Sequence, residues 1–327
     1  MRLVVLGGGA WGTAIALVAA NRHEVGLFVR DGAQAEAVRG GENKRYLPGF
    51  LLPDSLVVDS NLAAILAAKP ELIVIATPTS GLRATMQEVV HVGAQAPVVW
   101  LCKGFERDTG LLAHQVAGQE LGARPAGPLS GPSFAQEVAA GQPAALTVAG
   151  SGDLCEIVTA AFHTGALRVY ATDDVTGVEV GGAVKNVMAI ATGIADALRL
   201  GNNARAALIT RGLAEITRLG VALGARAETF MGLTGVGDLL LTCTGELSRN
   251  RQVGLRLGQG VSLERALADI GHVAEGVWTA PEVARRAAQV GVEMPITAAV
   301  CAVLAGALTP QAALEKLLAR DPRREGE

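Results

Sequence analysis

The sequence predicts an α/β fold in which an N-terminal doubly wound sheet of Rossmann type is followed by an all-helical C-terminal domain. Short apolar runs alternate with alanine-rich helical stretches through the first half of the chain, and this βαβ alternation favours a parallel sheet. After about Asp173 the strand-like runs cease and helical patterns alone remain. The length of 327 residues exceeds what one hydrophobic core usually holds, which favours two domains.

The predicted strands are apolar runs bounded by glycine, proline or asparagine, a pattern typical of buried strands. They are Leu3–Leu6, Glu24–Val29, Leu72–Ala76, Val98–Leu101, Leu146–Ala149 and Leu167–Tyr170. Helical patterns lie between them, for example at Thr13–Ala20 and Leu82–Val90. We therefore expect the sheet domain to comprise residues 1–173.

The second domain, residues 174–327, is predicted to contain helices only. The helical segments are Asp174–Leu198, Ala204–Leu223, Arg249–Leu257, Leu263–Ile270, Ala280–Val290 and Pro295–Ala307. Ser262 stands at a helix start, and Thr309 with Pro310 places a capping residue before a proline at the first helical position. The charged residues 320–327 are expected to fray.

Composition excludes several classes of protein. Half of the residues are hydrophobic, which excludes a disordered chain, and a formal net charge of −3 gives no electrostatic reason to expect a nucleic-acid partner. The apolar run Ile296–Leu308 is too short to cross a bilayer, so no membrane span is expected. No cluster has metal-ligand spacing. Four cysteines without a CxxC pair indicate buried free thiols in a cytoplasmic protein: Cys102, Cys155, Cys243 and Cys301.

A glycine-rich loop follows the first predicted strand. Gly7, Gly9 and Gly12 form the pattern G-x-G-x-x-G between that strand and a helix. In a dinucleotide-binding loop the first glycine permits a tight turn, the second lets the backbone approach a pyrophosphate, and the third allows close packing of helix on strand. The helix N-terminus then faces the phosphates. The sequence therefore predicts dinucleotide binding here, and the alternative is a turn whose glycines match the pattern by coincidence.

The residues after the second predicted strand bear on which dinucleotide is bound. An acidic residue at this place accepts the ribose 2′-hydroxyl of NAD, whereas an arginine suits the 2′-phosphate of NADP. This chain has Arg30 and then Asp31. NADP is therefore favoured as the cofactor, and NAD stays open. The alternative is that Arg30 and Asp31 are a solvated surface pair that binds neither.

Lysine is scarce, since only five of the 28 basic residues are lysine. Lys103 follows the predicted strand Val98–Leu101, and ligands of open α/β sheets sit at the carboxyl ends of strands. Lys185 lies in an otherwise apolar helix, where burial of an ammonium lowers its pKa and suits it to acid–base chemistry. The alternative is a side chain that extends to the surface. Glu179, on a different helical face, is not an obvious partner for Lys185.

Two further clusters are suited to an anion. Ser130–Glu137 is a small-residue turn that leads into a helix at a strand end, where exposed amides can hold negative charge. Gly232–Asp238 is a glycine-rich loop, and Ser248 would cap a helix that begins with Arg249 and Asn250. A guanidinium at a helix N-terminus suits a phosphate or carboxylate. Each cluster, taken singly, is equally well explained as a structural turn.

Many separate motifs occur in a fixed order along the chain. They are Gly7–Gly12 with Trp11, Tyr46–Pro53, Lys103 with Gly104, Ser130–Ala135, Gly181–Asn186, Arg211–Glu215, Gly235–Leu239, Thr242–Thr244, Ser248–Asn250, Glu275 with Gly276, and Val292–Ile296. This set closely resembles the bacterial type of NAD(P)-dependent glycerol-3-phosphate dehydrogenase. The resemblance covers nearly the whole chain, although Ser133 stands where threonine is common in that family.

The resemblance implies an oxidoreductase that reversibly reduces dihydroxyacetone phosphate to sn-glycerol 3-phosphate with NADPH or NADH and so supplies phospholipid synthesis. It implies that Lys185 is the catalytic general acid–base and that Lys103 holds the reacting oxygen beside the nicotinamide. The sheet domain would bind NAD(P), and the helical domain would carry the substrate and the catalytic group. No metal is implied.

The resemblance also assigns binding residues. Substrate contacts fall on Lys103, Gly131, Ser133, Lys185, Asp238, Ser248, Arg249 and Asn250, with Arg249 and Asn250 on the phosphate. Cofactor positions, the glycine loop included, are Gly7, Gly9, Ala10, Trp11, Gly12, Arg30, Lys103, Ala135, Arg249, Val273 and Glu275.

Two rival functions stay open. A β-hydroxyacid or 6-phosphogluconate type of dehydrogenase would share the two domains and a lysine–asparagine pair, although Asp238 and the segment Ser248–Asn250 favour glycerol 3-phosphate. A non-catalytic NADP-sensing protein would bind the cofactor without turnover. A homodimer is expected only from the base rates of soluble oligomers.

Overall fold

The computed structural model of the chain describes residues 1–319. The charged residues 320–327, predicted to fray, lie outside this range. The fold divides into two compact units. The first comprises residues 1–102 and 113–175, and the second comprises residues 103–112 and the chain from residue 176 onward.

The first unit is built on an eight-stranded sheet. Its strands are β1 (Arg2–Leu6), β2 (Glu24–Phe28), β3 (Val57–Asp59), β4 (Leu72–Ile75), β5 (Val98–Trp100), β6 (Ala126–Ser130), β7 (Ala144–Ala149) and β8 (Leu167–Thr172). Their order across the sheet is β3-β2-β1-β4-β5-β6-β7-β8. The first six are parallel, in the order of a doubly wound sheet. The crevice between the carboxyl ends of β1 and β4, where the strand order reverses, is where such sheets bind ligands.

The predicted fold class is confirmed with one correction. β7 pairs antiparallel with β6, so β7 and β8 run against the other six strands, whereas the sequence pattern predicts a parallel sheet throughout. All six predicted strands are present. The pattern missed β3 because only two of its three residues are apolar, and β6 because its sequence contains glycine and proline, which are uncommon inside strands.

Seven helices connect these strands. They are α1 (Ala10–Ala20), α2 (Gly32–Arg39), α3 (Leu62–Leu66), α4 (Thr79–His91), α5 (Ala113–Glu120), α6 (Ala135–Ala139) and α7 (Gly152–Phe162). Ile15 of α1 and Phe162 of α7 pack with Val5 and Leu27 of the sheet in one hydrophobic core. β4 and β5 are buried at every residue, as expected of parallel strands covered on both faces.

The second unit is helical within the described residues, as predicted. Its helices are α8 (Val175–Ala197), α9 (Gly201–Ala222), α10 (Asp238–Thr244), α11 (Arg249–Gly258), α12 (Leu263–Ile270), α13 (Glu275–Gln289), α14 (Pro295–Leu304) and α15 (Pro310–Leu318). The predicted caps are present, since the Ser262 and Thr309 hydroxyls accept hydrogen bonds from the N–H groups of Arg265 and Ala312. α13 begins at Glu275, before its predicted start at Ala280, and contains Pro281.

α8 is the central helix of this unit and is buried along nearly its whole length. At Gly193 and Gly254 the backbones of α8 and α11 approach so closely that an added Cβ would lie 2.1 Å from a carbonyl oxygen of the other helix. By length and composition α8 is the one helix in residues 1–319 that could cross a membrane. Its apolar window is entirely buried within the protein, and core helices pass the same test, so it is weak evidence for a span.

Residues 103–112 lie between β5 and α5 in the chain but pack with the helical unit, which the sequence pattern does not indicate. Phe105 and Leu112 join the hydrophobic core around α8. The N–H of Asp108 donates to Glu282 Oε1 of α13 at 3.2 Å, and the Arg107 guanidinium lies over the Trp278 ring, 5.5 Å from its centroid. These contacts fix the segment that begins with Lys103.

Candidate active site

The glycine loop of the first unit has the geometry that a pyrophosphate requires. Gly7 has φ of 128°, which other residues rarely adopt, and a Cβ on Gly12 would lie 2.0 Å from the Gly7 carbonyl oxygen. A Cβ on Gly9 would meet no protein atom within 4 Å, so that side of the loop is open. α1 begins at Ala10 without a side-chain cap, which leaves its first amides available to an anion. The loop therefore fits a dinucleotide.

The two residues after β2 have different environments. Asp31 caps α2, because its carboxylate accepts a hydrogen bond from the Gln34 N–H at 2.8 Å. Arg30 is exposed, and no hydrogen bond or ion pair joins it to the rest of residues 1–319. The carboxylate is thus engaged in the fold, whereas the guanidinium is not.

The loop after β6 contains the predicted residues Gly131, Ser133 and Ala135. Gly131 has φ of 141°, and a Cβ there would lie 2.7 Å from the Ala145 carbonyl oxygen. The Ser133 hydroxyl donates to the Gly131 carbonyl at 3.1 Å, and Ala135 begins α6. The Ser130 hydroxyl is buried, and no partner for it occurs in the part of the chain that the structure describes. The loop is tightly constrained at the carboxyl end of a strand.

The second unit places a carboxylate between two lysines. Asp238, at the start of α10, contacts Lys185 Nζ with Oδ1 and accepts a hydrogen bond from Lys103 Nζ at Oδ2 over 2.7 Å. Lys185 Nζ also donates to the Thr242 hydroxyl at 2.9 Å. Lys185 is 6% exposed and Asp238 is 1% exposed, so the Lys185 ammonium does not extend to the surface. The group places two lysine side chains and one carboxylate in a nearly dry setting.

The pKa of Lys185 is lowered to about 7, chiefly because burial disfavours the charged ammonium. The carboxylate of Asp238 opposes this shift, and the positive charge of Lys103 adds to it. A lysine in this range holds a proton in part of the population at neutral pH and can both donate and accept one. This is the property that a general acid–base needs.

A chain of side-chain amides extends from this group to α13. Asn186 Nδ2 donates to the Lys103 carbonyl at 3.2 Å, and Asn250 Nδ2 donates to Asn186 Oδ1 at 2.9 Å. Asn250 Oδ1 in turn accepts from the Gly276 N–H at 2.9 Å, in the first turn of α13. Asn250 is therefore held at its oxygen and at one amide hydrogen, and within residues 1–319 no acceptor contacts its second amide hydrogen.

The remaining predicted residues of this unit lie around α11 and α13. Ser248 is buried and caps α11 by accepting a hydrogen bond from the Arg251 N–H. Arg249 is exposed and interacts electrostatically with Glu275, the first residue of α13. Val273 is 45% exposed. Within residues 1–319 no group of three or more His, Cys, Asp or Glu side chains is suited to a metal ion.

The structure thus brings Lys103, Lys185, Asp238 and Asn250 into one hydrogen-bonded network. Thr242 and Asn186 belong to it as well, although the sequence motifs that contain them predicted no role for either side chain. Spacing could not reveal these contacts, because Lys185 and Asp238 are 53 positions apart in sequence. The sequence does contain one indication of their role, because Asn186 and Thr242 are polar residues in largely apolar helices.

A dinucleotide loop at the strand reversal and a buried lysine of nearly neutral pKa define a nicotinamide-dependent dehydrogenase. Residues 2–154 match the family model described as NAD-dependent glycerol-3-phosphate dehydrogenase N-terminus, and residues 174–315 match the model of the C-terminus. The chain belongs to the NAD-dependent glycerol-3-phosphate dehydrogenase family. The resemblance inferred from the sequence motifs is confirmed.

Individual relatives agree with this assignment. The chain is 58% identical to a glycerol-3-phosphate dehydrogenase [NAD(P)+] from Methylibium petroleiphilum, over 100% of this chain and 99% of the relative. It is 55% identical to the protein of the same name from Dechloromonas aromatica, over 99% of both chains. The crystal structure of a glycerol-3-phosphate dehydrogenase from Coxiella burnetii superposes with a TM-score of 0.94 at 40% identity, covering 98% of this chain and 99% of that one.

Proposed function

We propose that the protein reversibly reduces dihydroxyacetone phosphate to sn-glycerol 3-phosphate with NADPH or NADH. The observation that carries the proposal is the Lys185–Asp238–Lys103 group, a buried acid–base lysine beside a second ammonium. Ketone reduction creates negative charge on oxygen, and positive groups held near that oxygen stabilise the transition state. The family membership supplies the substrate, and the same chemistry runs in reverse for oxidation.

When bound, the nicotinamide supplies or accepts the hydride at the carbonyl carbon. In reduction the Lys185 ammonium gives its proton to the carbonyl oxygen as that oxygen gains charge, and Lys185 becomes neutral. In oxidation the neutral Lys185 amine removes the proton from the hydroxyl. Lys103 Nζ polarises the oxygen, while the Asp238 carboxylate contacts both Nζ atoms. Thr242 orients Lys185 through the hydroxyl.

The substrate contacts are proposed from the family motifs and supported by local geometry. Arg249 and the second amide hydrogen of Asn250 would hold the phosphate at the capped N-terminus of α11, where the helix dipole favours an anion. Gly131 and Ser133 would contact the substrate from their constrained loop. Ser248 would act with its neighbours at the same helix start.

The cofactor contacts are proposed in the same way. Gly7, Gly9, Ala10, Trp11 and Gly12 would hold the pyrophosphate, and the open side of Gly9 supports this. Lys103, Ala135, Arg249, Val273 and Glu275 would complete the cofactor site. Arg30 would bind the 2′-phosphate, so NADPH is the preferred cofactor in this proposal and NADH the poorer one.

The function is tested by steady-state kinetics of NADPH oxidation with dihydroxyacetone phosphate. We expect saturable turnover and the reverse reaction with sn-glycerol 3-phosphate. A panel with β-hydroxyacids and 6-phosphogluconate serves as the control, and no turnover of these is expected. Turnover of a hydroxyacid without reduction of dihydroxyacetone phosphate would contradict the proposal, and so would NADPH binding without turnover of any substrate.

Arg30→Asp is expected to reverse the cofactor preference. The change removes a charge-assisted contact to the 2′-phosphate, worth about 10- to 100-fold in affinity, and adds an acceptor for the 2′-hydroxyl of NADH. The ratio of kcat/KM for NADPH to that for NADH is the measurement. Arg2→Asp makes the same charge change at the N-terminal end of β1, away from the glycine loop, and should leave the ratio unchanged. An unaltered ratio in Arg30→Asp would show that Arg30 does not read the 2′-phosphate.

The proposal extends to the setting of the enzyme. All four cysteines are free thiols, which supports a cytoplasmic location because free thiols persist in a reducing compartment. A homodimer is the commonest oligomer of soluble enzymes and is proposed on that ground. The product, sn-glycerol 3-phosphate, would feed phospholipid synthesis.

A further inference from the structure

Asn43 is a buried amide side chain of the first unit that the proposed mechanism does not use. It is 0% exposed and lies in the connection between α2 and β3. That connection is a closed loop, because Glu42 and Leu51 form an antiparallel bridge and Leu52 N–H donates to the Gly41 carbonyl at 2.8 Å. A polar group buried this completely has to be satisfied by the protein around it.

All four hydrogen-bonding positions of the Asn43 amide are occupied. Nδ2 donates to the Gly8 carbonyl at 2.9 Å and to the Thr13 hydroxyl at 2.8 Å. Oδ1 accepts from Gln34 Nε2 at 2.9 Å and from the Tyr46 N–H at 3.3 Å. The orientation of the amide follows from chemistry, because a carbonyl can only accept and a backbone N–H can only donate.

The contact with Gly8 sets the direction of a neighbouring N–H. The peptide bond between Gly8 and Gly9 is planar and trans, so its carbonyl and its N–H point in opposite directions. By holding the Gly8 oxygen, Asn43 directs the Gly9 N–H away from itself. The second bond of Nδ2 is to the Thr13 hydroxyl in α1, so Asn43 links the start of the loop to the beginning of that helix. Asn43 thus spans the segment that contains the loop amides Gly9 to Gly12.

We propose that Asn43 is a positioning residue that holds the glycine loop in the shape that receives the cofactor pyrophosphate. It acts from behind the loop and touches no ligand itself. The open space at Gly9 on the other side of the loop supports this arrangement. The inference rests on the proposed function in one respect, since it takes NADPH or NADH as the ligand of the loop.

The test separates the pyrophosphate from the rest of the cofactor. Asn43→Ala and the uncharged Asn43→Leu, which is close to asparagine in volume, both remove the donor to Gly8. Calorimetry should show about tenfold weaker binding of NADPH and of ADP, the loss expected of one buried hydrogen bond. The affinity for 2′-AMP, which has no pyrophosphate, should stay within about twofold because Arg30 is unchanged. KM for NADPH should rise while kcat at saturation is retained.

Gln34→Ala is the matched control, because it removes a bond to Asn43 Oδ1 and leaves both Nδ2 bonds in place. Its affinity for all three nucleotides should equal that of the wild type. If Asn43→Ala does not fold, Asn43→Leu carries the test. Wild-type affinity for ADP in these variants, or equal weakening of 2′-AMP and ADP, would overturn the proposal. If the wild type binds NADPH but does not reduce dihydroxyacetone phosphate, the proposed function fails and the role of Asn43 is judged on binding alone.

Discussion

Lys185→Ala is expected to lower kcat for dihydroxyacetone phosphate reduction by about 10³-fold, within the contribution of general acid–base catalysis. The variant has no group at this position that can give a proton to the carbonyl oxygen. NADPH affinity should be nearly unchanged. The fold should tolerate the change, because Asp238 keeps its ion pair with Lys103 and is not left as an isolated buried charge. Single-turnover and steady-state kinetics measure the loss, and calorimetry measures the cofactor affinity.

Lys185→Arg tests whether charge alone is sufficient. An arginine keeps the positive charge but does not exchange its proton near neutral pH, so we expect no recovery of kcat. Lys316→Ala, at an exposed lysine of α15, is the control and should behave as the wild type. Normal turnover in Lys185→Ala, or full activity in Lys185→Arg, would remove Lys185 from the proton-transfer step.

Asp238→Asn is expected to lower kcat/KM for reduction by about 10²-fold, a typical effect of losing one electrostatic contact to the reacting centre. The carboxylate favours the charged form of Lys185, so its removal lowers the pKa of Lys185 below the value of about 7. In the proposed mechanism reduction needs the protonated lysine, so its rate should decline as pH rises through that pKa. The alkaline limb of the kcat/KM profile should therefore move to lower pH in Asp238→Asn.

The pH profile distinguishes this role from a structural one. A variant damaged only in its fold would lose activity evenly across pH. The alkaline limb of its kcat/KM profile would then stay at the wild-type pH. Oxidation of sn-glycerol 3-phosphate uses the neutral amine, so the rise of that rate with pH should also begin at lower pH in Asp238→Asn. Asp269→Asn, at a partly exposed ion pair of α12, is the control. A limb that does not move would show that Asp238 leaves the proton affinity of Lys185 unaffected.

The features that the sequence predicts well are local ones. The glycine loop, the helix caps and the buried strands are each set by a few neighbouring residues, and the structure contains all of them. Lys185 was singled out for the same reason, since a lysine in an apolar helix is conspicuous without any knowledge of its partners. The setting alone left open a side chain that extends to the surface, and the observed burial of Lys185 excludes that alternative.

The features that the sequence conceals depend on distant residues. Asn250 and Asn186 are 64 positions apart, and Asn43 and Gly8 are 35 apart, so no spacing rule links them. The reversed direction of β7 and β8 is of the same kind, because strand direction is decided by pairing and not by the apolar pattern of the strand. These long-range contacts determine the geometry of the site, and sequence periodicity does not predict them.

Residues 103–112 pack with the helical unit although they precede β6 in the chain, and this affects the order in which the enzyme folds during synthesis. During synthesis this segment leaves the ribosome before α8 does. Phe105 and Leu112 therefore stay exposed until the helices that form their hydrophobic core have been made. Lys103 reaches its partner Asp238 only after that docking. The proposed catalytic group is therefore completed late, from residues that are far apart in the chain. Recombination that exchanged the C-terminal half at residue 173 would separate Lys103 from the helices against which its segment packs.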